Sequence, residues 1–382
     1  MFSQSNIFKM KKLISRVMIS ILTIIVLLAV AVFIFLQQPK FGKMPSGERL
    51  ARIQKSPNFR DGSFQNLNPT PDLTEGVSYY AVMKEFIFGE KKRVKPTDVI
   101  PSTKIDLLHL DPAKDVLVWF GHSSYFIQID GKKILVDPVL SGAASPISFT
   151  TKAFQGTDAY TVEDLPAIDY LFISHDHWDH LDYDTVMKLK SKVGKVICGL
   201  GTGEHFESWG FDKNIIIEKD WNEEIILDNG FVAHTAPARH FSGRGILRNR
   251  ALWTSFALKT PTFNLFIGGD SGYDNHFAQI GKNYGPFDLA ILENGQYDKS
   301  WKYIHMMPEE VLQAAKDLGA KRLFPVHSSK FALGNHAWDE PLRRITEGNK
   351  SVNMPLITPI IGEQVNLKDS TQTFEQWWVG VE

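Results

Sequence analysis

Ser174-His175-Asp176-His177-Trp178-Asp179-His180-Leu181-Asp182 places three imidazoles and three carboxylates within nine residues. Neutral imidazole and carboxylate are the donors that Zn²⁺ and similar borderline ions prefer. His175, His177, Asp179 and His180 stand too close together in sequence for all four to serve one ion comfortably, so the motif reads as two adjacent metals. A solvated polar loop that happens to hold histidines is the bland alternative, and the density of donors argues against it.

The flanks place the motif. Ile168 to Ile173 (IDYLFI) is a short apolar run suited to a buried strand, and Tyr183 to Lys190 has helical spacing with Asp182 as its N-cap. The donors therefore lie on a strand-to-helix loop, where a rigid strand presents reactive groups on a freer segment. Three further apolar runs end in one donor each. Phe231 to Thr235 leads to His240, Asn264 to Ile267 leads through Gly268-Gly269 to Asp270, and Arg322 to Val326 leads to His327. Upstream, Val116 to Phe120 ends at Gly121-His122, followed by strands at Tyr125 to Ile129 and Lys133 to Val136 with a hairpin turn at Asp130-Gly131. A meander followed by alternating strands and helices predicts an α/β domain.

The chain has 382 residues, 43% hydrophobic content and a formal net charge of -1, enough for one large or two ordinary domains and without a basic field for nucleic acid. Its one cysteine, Cys198, excludes an intramolecular disulfide and a thiolate-rich zinc site. Metal binding must rest on His and Asp.

Val17 to Leu36 carries no charge and, as a helix, spans about 30 Å, the hydrocarbon thickness of a bilayer. Residues 1–16 then form a basic tail, 17–36 a single-pass membrane anchor, 37–100 a connector with one helix near Val77 to Phe88, and 101–382 the catalytic domain. The small-residue triplet Ala29-Val30-Ala31 leaves a cleaved signal peptide open, but Val-Phe-Ile-Phe-Leu follows it instead of a polar region. Lysines and arginines nearly balance across the span, and a short basic tail is hard to export, so the domain is expected outside the cytoplasm.

His-x-His-x-Asp-His, a distant His, Gly-Asp and a last His, in this order, resemble the metallo-β-lactamase superfamily, most closely the branch of N-acylphosphatidylethanolamine phospholipase D and its RomA-like relatives. Gly121 to Ser124, Val136-Asp137-Pro138, Gly268 to Tyr273, Ile304 to Glu310 and His327 to Leu333 carry the branch resemblance. It implies an αβ/βα sandwich of two sheets flanked by helices. It implies, too, two divalent ions, Zn²⁺ first among candidates. His175, His177 and His240 would hold one, Asp179, His180 and His327 the other, and Asp270 would bridge them. A hydroxide shared by two cations is nucleophilic near neutral pH and would attack in line at phosphorus. Asp176, Asp137 and His122 would orient ligands from behind. His305 either faces the substrate or caps a helix start, and Tyr273 and Tyr297 are candidate pocket residues.

The implied substrate is an N-acylated phospholipid cleaved at its phosphodiester. Glu293 to Tyr297 replaces a more apolar segment and predicts a more polar pocket lip. Because a dinuclear centre attacks C=O and P=O alike, a lactonase, a nucleotide phosphodiesterase or a β-lactamase-like enzyme is the alternative, and a non-catalytic membrane-tethered metal-binding domain a third. Ser271 beside Asp270 is not read as a protease nucleophile, nor Gly199 to Gly203 as a nucleotide loop. His109, His205, His234, His276 and His336 are expected to be surface or packing residues, with His276 near enough to Asp270 to approach the pocket. Phe149 to Tyr160 forms either a mobile lid or ordinary packing.

Overall fold

The computed structural model describes residues 4–90 and 92–382. Helix α1 (Gln4–Leu36) is long and apolar enough to cross a membrane, and none of its apolar stretch from Phe8 to Leu36 is buried against the rest of the chain. The chain continues through α2 (Gly47–Ile53), a hairpin of β1 (Phe59–Arg60) and β2 (Ser63–Phe64), and α3 (Tyr79–Phe88). Helix α3 starts two residues later than its sequence pattern predicts because Ser78 is its N-cap, its hydroxyl accepting from Ala81 N. Ile53 and Phe64 are fully buried among Leu200, Trp221, Leu252 and Trp253, so this segment supplies core as well as reach.

Strands β3 (Val116–Trp119), β4 (Tyr125–Ile129), β5 (Lys132–Val136), β6 (Ile168–Ile173), β7 (Val193–Gly199) and β8 (Ile216–Lys219) form one sheet. It is antiparallel through β5 and parallel from β5 to β8. Strands β9 (Glu224–Ile226), β10 (Val232–Ala236), β11 (Ser255–Lys259), β12 (Asn264–Ile267), β13 (Leu289–Glu293) and β14 (Leu323–Val326) form a second sheet in the order β14-β13-β12-β11-β10-β9. The last strand, β15 (Gln364–Asn366), returns to the free edge of β3 in the first sheet. Asp130 and Gly131 both have positive φ, as the tight turn between β4 and β5 requires.

Strand alternation sorts the core into layers. Tyr170 and Phe172 of β6 point into the cluster between the sheets with Phe256, Leu258, Leu265, Ile267 and Ile291. Leu171 and Ile173 point the other way, into a second cluster with α4 (Tyr183–Leu189) and α5 (Gly203–Ser208). On the far sheet Phe266, Ala290 and Leu292 face α6 (His276–Tyr284) and α7 (Pro308–Asp317), and Ile345 of α8 (Glu340–Asn349) joins them. The order is helix, sheet, sheet, helix, the αβ/βα sandwich that the resemblance implies. Both sheets are covered on both faces, which is why β6, β7, β12 and β13 read as continuous apolar runs.

Candidate metal centre

Every candidate donor lies just beyond the C-terminal end of a strand. His122 follows β3, the motif from His175 to His180 follows β6, His240 follows β10, Asp270 follows β12 and His327 follows β14. Gly269 has a left-handed φ of 62°, and a β-carbon on it would lie 2.7 Å from the Ser174 side chain, so this close turn requires glycine.

The donors converge as two sets. His175 Nε2 and His240 Nε2 lie 2.9 and 3.2 Å from His177 Nδ1. Ligands about 2.0–2.1 Å from a tetrahedral ion stand about 3.3 Å from one another, so this spacing suits a shared cation. Burial drives His175 and His240 well below the usual imidazole range and His177 to about 4. Three neutral rings with their nitrogens pooled cannot all be satisfied by shared protons, and a cation resolves the conflict. In the second set, His122, Asp179, His180 and His327 offer donor atoms within one coordination sphere. Asp270 lies between the sets: Oδ2 is 3.8 and 3.7 Å from Nε2 of His175 and His240, and Oδ1 is 3.1 Å from His180 Nε2 and 3.2 Å from His327 Nδ1. His180 Nε2 and Asp270 Oδ1 are buried without a hydrogen-bond partner, a costly state that a bound cation relieves. The His/Asp clusters are therefore able to bind metal.

Hydrogen bonds behind the donors fix their orientation. Asp137 accepts from Ser174 N at 2.8 Å and Ser174 Oγ at 2.6 Å, and its Oδ2 lies 2.8 Å from His180 Nδ1, which directs His180 Nε2 toward the centre. His240 Nδ1 donates to Ile304 O at 2.9 Å. Asp176 turns away from the centre, accepts from Gly243 N at 2.7 Å and lies 3.2 Å from His205 Nε2. His205 is thus buried and tied to the motif, a role that sequence could not assign because its partner is 29 residues away. His122, expected to orient a ligand, holds Nε2 2.9 Å from Asp179 Oδ2 and stands within reach of the second donor set.

A cavity of about 320 Å³ opens over His177, Asp179, His240, Asp270, His305 and His327. His305 lines it and caps no helix; the residue at the start of α7 is Met307. Its Nδ1 is 3.1 Å from Glu293 Oε2, while Glu293 Oε1 accepts from Met306 N. Leu73, Tyr79, Phe241, Trp301, Ile304 and Leu333 form the apolar part of the walls, with Gln296 and the paired Asp72 and Arg248 as polar lining. Leu73 and Tyr79 belong to the connector, 95 or more residues from the motif, so no local pattern announces them.

Two pocket residues expected from sequence do not line the cavity. Tyr273 packs on Phe277 and donates its hydroxyl to Asp317 at 2.6 Å, and Tyr297 stacks on His336 with its hydroxyl on Glu340. Of Glu293 to Tyr297, Gln296 alone lines the cavity. Glu293 is committed to His305 and Met306, and Gln296 spends its amide on His327 O, Phe331 O, Leu333 N and Gly334 N. His276 is buried against Phe277 with Nε2 3.2 Å from Ser271 Oγ, outside the cavity lining. His336 accepts from Gln296 N, whereas His109 is exposed beside Asp106 and His234 stacks on Tyr284. Phe154 and Tyr160 are packed in the core, and Phe149 is exposed.

Comparison with known proteins agrees with this geometry. Residues 132–328 match the model of the beta-lactamase superfamily domain. An uncharacterized protein of Mycobacterium tuberculosis is 36% identical over 85% of this chain and 88% of its own length. The N-acyl-phosphatidylethanolamine-hydrolyzing phospholipase D 1 of Caenorhabditis elegans is 28% identical over 71% of this chain and 80% of its own. Among solved structures, a metallo hydrolase of Ignicoccus hospitalis shares the fold with a TM-score of 0.51 at 21% identity, covering 66% of this chain and 98% of that one. With two sheets, donors gathered at strand ends and these relatives, the chain belongs to the metallo-β-lactamase superfamily and is a metal-dependent hydrolase by fold and site.

Proposed function

We propose that this protein is a single-pass membrane metallohydrolase that cleaves the phosphodiester of N-acylphosphatidylethanolamine-type phospholipids, its domain outside the cytoplasm. The observation that carries the reading is Asp270, whose two carboxylate oxygens face separate donor sets beneath one cavity. His175, His177 and His240 would hold one divalent ion and Asp179, His180 and His327 a second, Zn²⁺ being the first candidate for both. When bound, such a pair supplies a nucleophile at neutral pH and a positive field for the charge that develops at phosphorus. His122 braces Asp179 within the second set.

The remaining chemistry rests on the chain's own residues. His305 is held by Glu293 through Nδ1 and lines the cavity beside His240 and His327, placed to hydrogen-bond a phosphoryl oxygen or to hold a proton at the leaving oxygen. A cavity of about 320 Å³ admits a phosphodiester headgroup and leaves the acyl chains outside. Apolar walls and the neighbouring apolar helix favour a lipid diester over a nucleotide, and the phospholipase D relative supports the same class.

The test is hydrolysis by the full chain, metal content measured, of an N-acyl phospholipid, a generic phosphodiester, a lactone panel and a β-lactam, with Asp270→Asn as control. Release of phosphatidic acid that disappears in Asp270→Asn is the expected result. A metal-loaded protein that leaves every diester intact and opens lactones belongs to the other hydrolase class. One that turns over nothing is a binding domain.

A further inference from the structure

The segment leaving α1 does not dangle. Trp209 Nε1 donates to Pro39 O at 2.7 Å, Arg244 donates to Lys40 O from Nε and Nη2 at 3.0 and 2.9 Å, and His205 Nδ1 accepts from Lys43 N at 3.0 Å. The Phe41 ring meets Trp178 of the metal motif edge-on at 5.2 Å, and Phe35, in the last turn of α1, packs on Phe41 at the same distance. Residues 39–43 are therefore fastened to the loop that carries His175 to His180. The end of α1 and the metal loop keep a fixed relation, with no flexible spacer between them.

Three exposed apolar segments surround this junction. The loop that begins at Arg244 exposes Ile246 (79%) and Leu247 (52%). The loop whose Pro146 carbonyl accepts from Lys40 Nζ exposes Phe149 (74%) and, less so, Ile147. Helix α3 exposes Tyr80 (78%), Met83, Ile87 and Phe88 (79%). Its position follows from its ends. Tyr79 lines the catalytic cavity and donates to Asp72, which also pairs with Arg248 of the first loop. Phe86 shares a second cavity with Thr150 and Thr151, which close the other loop. The helix, about 15 Å long, thus reaches from one loop to the other past the cavity mouth.

We propose that these three segments form a membrane-docking rim: Ile246 and Leu247, Ile147 and Phe149, and the outer face of α3 lie in the interface of the same leaflet from which α1 emerges, and hold the cavity mouth against it. The occupant is the bilayer. Large exposed apolar patches on a soluble surface mark an interaction site. Here the patch is continuous, through Lys40 and Phe41, with a helix whose apolar surface is also uncovered up to its last turn. Tyrosine and phenylalanine at the rim suit the headgroup level, where amphipathic and aromatic side chains concentrate. The inference rests on α1 as an anchor and is independent of which ester or diester is cleaved.

Cys198 is buried and is the chain's one cysteine, so an introduced cysteine can carry a label alone. The full chain, reconstituted in vesicles of phosphatidylcholine and phosphatidylglycerol, is labelled with nitrobenzoxadiazole at Tyr80→Cys, Phe149→Cys or Leu247→Cys. Ile25→Cys in α1 and Lys350→Cys at the end of α8 are the references. The expected result is at least twofold quenching of the three rim labels by shallow doxyl lipid together with protection from aqueous iodide, and the reverse at Lys350→Cys. Rim labels open to iodide and untouched by doxyl lipid, with Ile25→Cys quenched, overturn the rim and keep the anchor. Rim labels protected from both quenchers mean that another protein surface covers them, and the inference falls. Absence of quenching at Ile25→Cys removes the anchor and the rim together. None of these readouts needs turnover, so failure of the lipid-substrate reading leaves them interpretable.

Discussion

The guanidinium of Arg244 lies 4.0 Å above the indole of Trp178 while its Nη1 donates to the carbonyls of Asp176 and Leu181 on the same loop. With Nε and Nη2 on Lys40 O, one buried cation ties the metal motif to the exit of α1. Burial lowers its pKa to about 10, against the pull of Asp176 and Asp182, and it stays charged at neutral pH. Arg244→Lys keeps the charge but cannot fork to three carbonyls. We expect a loss of about 2–4 kcal/mol in denaturant unfolding and weaker retention of metal during dialysis. A variant as stable as the wild type would mean that the carbonyls find other donors.

Gly42 makes the same junction sensitive to a single methyl group. A β-carbon there would lie 2.0 Å from His205 Nδ1, and its φ of 71° is left-handed. Gly47 has a left-handed φ of 54° but nothing within 4 Å of its β position. Gly47→Ala should therefore cost only backbone strain, about 1–2 kcal/mol. Gly42→Ala adds a clash with a side chain that is itself fixed between Lys43 N and Asp176. Thermal unfolding of the two variants should separate them clearly, with Gly42→Ala the less stable. Equal melting temperatures would show that His205 gives way freely.

The donors were legible because all seven that the resemblance names are histidines or aspartates beyond the end of an apolar run, and chemistry and strand pattern both mark such places. Asp137 could be placed behind them by resemblance alone, and its bonds to Ser174 and His180 give the reason. The cavity walls were not legible. Leu73, Tyr79 and Trp301 reach the site through packing of loops whose local sequence carries no period. Tyr273 and Tyr297 were misplaced for a related cause: both neighbour the right segments, and loop geometry turns their rings toward Asp317 and His336. His122 was expected to orient a ligand, but which one was hidden, since a sequence does not say that β3 ends alongside Asp179.

Among the described residues Glu293 is the sole acid bonded to His305, and it also accepts from Met306 N. Glu293→Ala removes both contacts while leaving intact the seven donors assigned to the two ions, although Glu293 itself lies within reach of Asp270 and His327. Loss of such an orienting partner typically costs 10–100-fold, so we expect kcat to fall by roughly that factor with metal content per chain unchanged. If metal content falls in parallel, Glu293 supports the fold of the centre instead of positioning His305.

Removal of metal should destabilise the protein as well as inactivate it. The buried imidazoles and Asp270 are assembled around a charge they lack partners for. A ligand held at a thousand times its Kd stabilises the folded state by about 4 kcal/mol. Chelation should accordingly lower the melting temperature, and Zn²⁺ should restore it more fully than Mg²⁺, whose preference is for oxygen donors. A melting temperature indifferent to chelator and to added Zn²⁺ would contradict the reading of the cluster as a metal centre.

His276 offers a pH dependence separable from the metal donors. It is buried beside Ser271 and Phe277, and burial holds its pKa down to about 4 against the attraction of Asp274. The unfolded chain takes up this proton near pH 6.5 and the folded chain only near 4. The stability contributed by the neutral ring is thus complete above 6.5 and is lost progressively as pH falls toward 4. Between pH 7 and pH 5 the loss from this one group is about 2 kcal/mol. His276→Asn, which cannot take the proton, should unfold with a shallower decline over that interval, and the metal donors cancel because they are common to both proteins. Parallel curves for wild type and variant would mean that His276 gains a proton in the folded state as readily as in the unfolded chain.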